Sequence, residues 1–228
     1  MVLSQFTRTD EAFRYIRQKI IEGEIAFGER LHITNLAEET GFSNTPIREA
    51  LAKLEMLGLA ESYPHKGVFV VSPSEKDVHE MVDGRNCLEL FMAKSVIDNV
   101  SAEDIPKLRK ACEAAAITRP NPDHSFEEGL HGYFAKIAGN DFMFHLYQRV
   151  MALLNVLYIQ AMRTSEDREW IRKYKDQHYA EELVIVESIA DRDLSQLEKA
   201  VTTHIINFGD FIISSLKKWP PKGVNWAE

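Results

Sequence analysis

The chain has 228 residues, which gives room for two modest domains with cores of their own. Its 27 Lys and Arg against 35 Asp and Glu leave a net charge of −8, which excludes a general polyanion binder and confines any nucleic-acid affinity to a few well-placed cations. The two cysteines, Cys87 and Cys112, have neither metal-ligand spacing nor the count for a disulfide framework, so a reducing cytoplasm is expected.

In chain order, the first strong pattern lies between Leu31 and Val71. Gly41 ends one helical pattern, and Ser43 or Thr45 can cap the next, with Pro46 allowed in its first turn. Ile47, Ala50, Leu51, Leu54 and Leu57 then recur at three- and four-residue steps and predict one buried stripe. A rotation of about 100° per residue puts Thr45, Arg48, Glu49 and Ala52 on the opposite face. A short helix buried on one side and polar at its exposed N-terminus suits the DNA major groove. After Gly58, Leu59–Tyr63 and Val68–Val71 predict a hairpin around Pro64-His65-Lys66-Gly67, whose basic tip suits phosphates or a minor groove. The pattern is a winged helix-turn-helix, with Arg48, His65 and Lys66 as DNA contacts. Glu49 is expected to pair with Arg48 or to support the helix. Residues 1–72 hold 8 Lys and Arg against 10 Asp and Glu, so a dimer that doubles the contacts would help binding.

Ser72-Pro73-Ser74 marks a domain boundary, and Ser74 with Asp77 has the form of a capping box. Beyond it the patterns are helical: Glu75–Asp98, Ala102–Ile117, Ser125–Ala138, Asp141–Met162, Glu166–Ala190 with a break near Lys175, and Leu194–Lys217. Ser101, Ser165 and Asp193 are expected N-caps, Gly139-Asn140 a helix stop, and Thr118–Asp123 a loop. The most apolar run, Val150–Met162, is 13 residues long, too short to span a bilayer and suited to a buried helix; no membrane association is expected. The fold class is mainly α: a winged helix-turn-helix over 1–73, an all-helical bundle over 74–219 and a loosely ordered tail over 220–228.

Histidines and carboxylates recur in the bundle. Glu127 and His131 are four apart and share a helical face, as do His178 and Glu182. His204 aligns with Leu197, Val201, Phe208 and Phe211 on an apolar stripe. Three helices offering such groups could converge on a divalent metal. Surface ion pairs and a hydrogen-bonded core histidine fit the same spacing. Glu-x-x-His repeats of a di-iron bundle and the His-Glu-x-x-His zinc motif are both missing, which argues against an enzyme.

The run from Glu29 to Val70 resembles the DNA-binding domain of the GntR family of bacterial transcription regulators. Its tokens are Leu36-Ala37-Glu38, Thr45-Pro46-Ile47-Arg48-Glu49-Ala50-Leu51, Leu54-Glu55 and Gly58-Leu59, within a match from about Phe13 to Ser72. The family usually has Arg where this chain has Asn44, which can read adenine or cap the helix. Glu127-x-x-x-His131 followed by Ala138-Gly139-Asn140 resembles the all-helical FCD effector domain of FadR-type members, over about Glu75–Ser215. That resemblance implies a divalent cation held by an acidic residue and three histidines, with open positions for a small carboxylate effector. Glu127 stands where Asp is usual, and His131 and His204 fall on family histidine positions. The middle position aligns with Glu182, with His178 one turn earlier, so either could be the fourth ligand. Arg85 with Glu89 resembles a first-helix Arg-x-x-x-Glu whose Arg meets the effector; an ordinary intrahelical pair is the alternative.

The resulting expectation is a cytoplasmic, homodimeric, ligand-responsive transcription regulator, a repressor in the commoner family pattern, on a palindromic operator. Its DNA contacts are Asn44, Thr45, Arg48, His65 and Lys66, and its cofactor is zinc or nickel. A metal-free regulator sensing a larger ligand such as an acyl-CoA is the alternative, with a metal-dependent helical-bundle enzyme behind it. A GntR branch fused to a pyridoxal-phosphate enzyme-like domain needs a longer chain.

Overall fold

The structure is a computed structural model that describes residues 7–117 and 129–218. The expected loop at 118–123 and the tail at 220–228 lie outside the described residues, as does Glu127.

The N-terminal domain opens with α1 (Arg8–Glu22), which the sequence reading did not delimit. Thr7 and Asp10 form its capping box, and Ala12, Ile16, Ile20 and Ile21 make its buried stripe. Next come β1 (Arg30–Leu31), α2 (Ile33–Thr40) and α3 (Asn44–Met56), then the hairpin β2 (Ala60–Tyr63) and β3 (Gly67–Val70). Ile47, Ala50, Leu51 and Leu54 of α3 are buried as the spacing predicts, while Leu57 is its half-buried C-cap. The expected two-stranded hairpin is in fact a three-stranded antiparallel sheet in the order β1-β3-β2. Arg30 pairs with Phe69, a strand too short to leave a pattern in the sequence. The caps are also corrected. Ser43 occupies the N-cap of α3 without a side-chain hydrogen bond, and Asn44 and Thr45 are the first two helical residues rather than caps.

The bundle comprises α4 (Glu75–Asn99), α5 (Asp104–Ile117), α6 (Leu130–Ala138), α7 (Asp141–Thr164), α8 (Arg168–Ala190) and α9 (Leu194–Lys218). The Ser74–Asp77 capping box is present as expected. Helix α8 runs unbroken through Lys175. Ser165 is the C-cap of α7 rather than an N-cap, and Asp167 caps α8 by accepting from the Trp170 amide at 2.9 Å. Helix α6 is described from Leu130, behind an extended Gly129, and the expected start at Ser125 lies outside the described residues.

Helix α9 lies at the centre, packed on α4, α7 and α8, with Leu197, Val201, His204, Ile205, Phe208 and Phe211 buried. Close approach of α4 and α9 depends on Gly209, because a Cβ there would lie 2.8 Å from Val82 Cγ2. The segment Asp141–Arg163 is long and apolar enough to cross a membrane by length and composition, which revises the estimate from the 13-residue run alone. Its helix packs on α1, α4, α6 and α9 of the same chain.

Candidate functional site

Two sites emerge, one on each domain. On the winged-helix domain, Asn44, Thr45 and Arg48 are exposed at the N-terminal half of α3, and His65 and Lys66 are exposed at the wing tip. With no side chain capping α3, its first amides stay open beside Asn44 and Thr45, a favourable place for phosphate. The wing turns through His65 at φ 61°, closed by the Lys66 amide donating to the Tyr63 carbonyl at 3.1 Å. Glu49 does not pair with Arg48. It accepts from Thr9 Oγ1 at 2.5 Å, tying α3 to α1 and leaving the guanidinium of Arg48 outward.

The sequence reading missed one cation here. Arg30 of β1 is exposed and lies over the wing, its Nε 2.9 Å from where a Cβ on Gly67 would be. Gly67 has φ 107°, outside the range of most L-residues, and the missing side chain makes room for the guanidinium. The signal in the sequence was only Arg30 preceding a turn-flanked apolar residue.

The second site is inside the bundle. His131 of α6, Glu182 of α8 and His204 of α9 each offer a ligand atom within 4.8 Å of the others. The two imidazoles stack at 4.8 Å between centroids, with Nε2 of one 2.9 Å from Nε2 of the other. His178 packs against His204, ring centroids 4.5 Å apart, while its Nδ1 pairs with the Tyr174 hydroxyl at 3.0 Å and its Nε2 lies 3.6 Å from Glu182 Oε1. Of the two candidates for the middle ligand, Glu182 has an oxygen within 4.8 Å of ligand atoms of both His131 and His204, and His178 lies beside it. Tyr158, Tyr174 and Phe208 face His178, and Phe211 stacks on Tyr174, so the rings form an aromatic wall.

Arg85 and Glu89 of α4 form the floor. Their i,i+4 pair, Nε to Oε1 at 2.8 Å, is fully buried, unlike the usual surface pair. Glu89 also accepts from the Tyr147 hydroxyl of α7 and, through Oε2, from His131 Nδ1 at 3.0 Å. Burial opposes charge on Glu89, but His131 and Arg85 together hold its carboxyl well below the ordinary range. Burial also lowers His131 below its ordinary 6.5, so the imidazole is neutral near pH 7 and Arg85 supplies the countercharge. Burial and the neighbouring imidazoles push His178 and His204 well down. Burial pushes the Glu182 carboxyl up to about 8, against the pull of Arg85.

This donor set fits a divalent ion. Two neutral imidazoles and a carboxyl group are suitable zinc or nickel ligands. Among the described residues, Glu182 Oε2 and Arg85 Nη2 are buried and find no hydrogen-bond partner, a costly arrangement for polar atoms unless something else satisfies them. Arg85 acts electrostatically on His131, His178, His204 and Glu182 alike, so an anion reaching the cluster would meet its charge. Sequence reasoning missed Tyr147 and Glu181, whose apolar and charged contexts look ordinary without the fold.

Comparison with known proteins matches two segments of the chain. Residues 8–70 match the family described as bacterial regulatory proteins, gntR family, and residues 80–207 match the FCD domain. The chain is 35% identical to the transcriptional regulator YdhC of Bacillus subtilis, over 44% of this chain and 45% of that protein. It therefore aligns with less than half the length of that relative. It is 24% identical to the Uxu operon regulator of Haemophilus influenzae, over 84% of this chain and 77% of that one. Among solved structures, E. coli McbR/YncC superposes with a TM-score of 0.72 at 16% identity, covering 92% of this chain and 99% of the other, a likeness of fold. With a DNA-binding head and an effector-type bundle both matched, the chain belongs to the GntR family of transcription regulators, in the group that carries an FCD domain, and not to a family of enzymes.

Proposed function

We propose that this chain is a cytoplasmic, homodimeric repressor whose hold on a palindromic operator is controlled by a small organic acid in the FCD bundle. A divalent ion on His131, Glu182 and His204 would present an open Lewis-acid position to the acid's carboxylate. Glu127, which lies outside the described residues, is a further candidate ligand. Arg85 would take the anion's other oxygen, a charge-assisted contact that satisfies Nη2. The observation that carries this reading is the pairing of unsatisfied atoms of opposite character, Glu182 Oε2 and Arg85 Nη2, around two neutral imidazoles.

The residues have separable tasks. His131, Glu182 and His204 bind; Arg85 orients; the aromatic wall around His178 excludes water. Asn44, Thr45 and Arg48 read bases or phosphates from α3, and His65 and Lys66 hold the wing to the duplex. Only a ligand with different affinity for the DNA-competent and DNA-incompetent arrangements can shift occupancy.

A panel of small carboxylic acids, added with Zn²⁺ to the operator complex, tests the reading. At least one acid should weaken wild-type binding by roughly 5- to 150-fold. His131→Ala should bind the operator as wild type does and ignore that acid. A His131→Ala protein that responds as wild type does would overturn the ion-centred reading.

A further inference from the structure

Resting on that ion-centred reading, we infer that Glu89 and Glu181 are the positioning residues of the site, one for each imidazole. Each takes the Nδ1–H of its histidine and thereby turns that ring's Nε2 lone pair toward the shared ion position.

A neutral imidazole has one N–H and one lone pair, and a carboxylate can only accept. Glu89 Oε2 lies 3.0 Å from His131 Nδ1, so that nitrogen holds the proton and His131 Nε2 presents its lone pair. Glu89 is itself fixed by Arg85 and Tyr147, which makes this tautomer a consequence of the buried network.

His204 then has a choice that the geometry leaves half-satisfied. With no ion, its Nε2 must carry the proton to make the 2.9 Å contact with His131 Nε2. Its Nδ1 is then a bare lone pair, 3.3 Å from Glu181 Oε2, which is another acceptor. The two do not form a hydrogen bond, and among the described residues the buried Nδ1 has no partner. An ion that takes both Nε2 lone pairs requires the other tautomer of His204. The ring keeps one proton, now on Nδ1, where Glu181 is placed to accept it. Glu181 Oε1 is held by Asn207 Nδ2 at 2.6 Å and by Gln177 Nε2 at 2.7 Å, which leaves Oε2 for His204. Carboxylates behind metal-binding histidines orient the rings and typically strengthen binding 10- to 100-fold, roughly.

Side-chain ¹⁵N NMR of the full chain, stripped with chelator and then titrated with Zn²⁺, reads both halves. Without the ion, His131 should be the Nδ1–H tautomer and His204 the Nε2–H tautomer. With Zn²⁺, His204 should become Nδ1–H while His131 keeps its form. Glu181→Gln should weaken Zn²⁺ binding by about 10- to 100-fold in chelator competition, and Glu181→Asp should recover part of that loss. Because Glu89→Gln breaks a buried charge pair and can unfold the bundle, Glu181 variants with wild-type circular dichroism carry the mutational test. Wild-type Zn²⁺ affinity in Glu181→Gln, or a zinc-bound His204 that keeps Nε2–H, would overturn the inference while leaving the metal site standing. A wild-type chain that takes up no Zn²⁺ overturns the metal reading and the ion-dependent half together. In that case an Nε2–H tautomer at His131 would overturn the role of Glu89 as well.

Discussion

Gln160 of α7 donates to the carbonyl of Ile20, at the end of α1, across a buried 2.7 Å hydrogen bond between the two domains. The same helix carries Tyr147, which donates to Glu89 beneath His131. Thirteen residues separate the two along α7, about 20 Å at the rise of an α-helix. One rigid element therefore touches both the buried cluster and the DNA-binding head. Arg163 and Glu22, 3.8 Å apart, add a weaker exposed link beside it.

Replacing Gln160 by Leu should remove one of the two hydrogen bonds that the Ile20 carbonyl accepts, leaving the Gly23 amide at 3.1 Å as its partner. The expected loss of stability is about 0.5–1.5 kcal/mol, measured by urea unfolding. In the operator assay, the response to an effective acid should shrink while ligand-free DNA affinity stays near wild type. An unchanged response would remove α7 as the connection.

On the head, Arg48→Ala should weaken operator binding by about 1–3 kcal/mol if the guanidinium reads a base. Lys66→Ala and Arg30→Ala should each weaken all duplexes more evenly and lower the salt slope by about one unit, as phosphate contacts do. Anisotropy titrations at several salt concentrations separate the two behaviours. Arg30 is the sharper case, since its place over Gly67 is a feature of the fold rather than of any motif.

The winged helix was legible because its determinants are local: Gly41, the Ile47–Leu54 stripe and the Pro64–Gly67 turn all act within a few residues. The helices of the bundle were legible for the same reason. The site was legible only in part. His204 stood out on an apolar stripe, but the choice between His178 and Glu182 depends on how α8 is rotated against α9, a long-range packing outcome. Glu127, expected in one helical register with His131, lies outside the described residues. The two-residue β1 was invisible because a strand that short has no periodicity.

The buried groups also predict a pH dependence in chelator-stripped protein. His131, His178 and His204 have folded values below the ordinary 6.5, so their stabilising contribution is present above that pH and is lost as pH falls through their depressed values. Glu182 has the opposite sign. Its folded value of about 8 lies above the ordinary 4.5, so its contribution is complete below 4.5 and is lost as pH rises toward 8. Urea midpoints should therefore decline on the acid side of pH 6.5 and again toward pH 8. Glu182→Gln should abolish the second decline only; a wild-type slope in that variant would contradict the buried, protonated state.

Dimerisation should use the apolar surface that α4 and α7 leave exposed. Phe91, Phe142 and Leu146 on these neighbouring helices are 65%, 72% and 41% exposed. Burying such side chains is worth about 1.5–3 kcal/mol each. Sedimentation should show a wild-type dimer, with Phe91→Asp combined with Phe142→Asp shifting it to monomer and weakening binding to a two-half-site operator. A double variant that stays dimeric would place the interface elsewhere.

The most direct test of the central claim is calorimetric titration of Zn²⁺ into the chelator-stripped full-length chain near pH 7. One ion should bind per chain, more weakly as pH falls and histidines protonate, and that binding should be lost in His204→Ala and in His131→Ala. Release of protons on binding, from a Glu182 carboxyl raised to about 8, should appear as a dependence of the measured heat on buffer ionisation. A wild-type chain that takes up no Zn²⁺ or Ni²⁺, or a His204→Ala chain that binds as tightly as wild type, would contradict it.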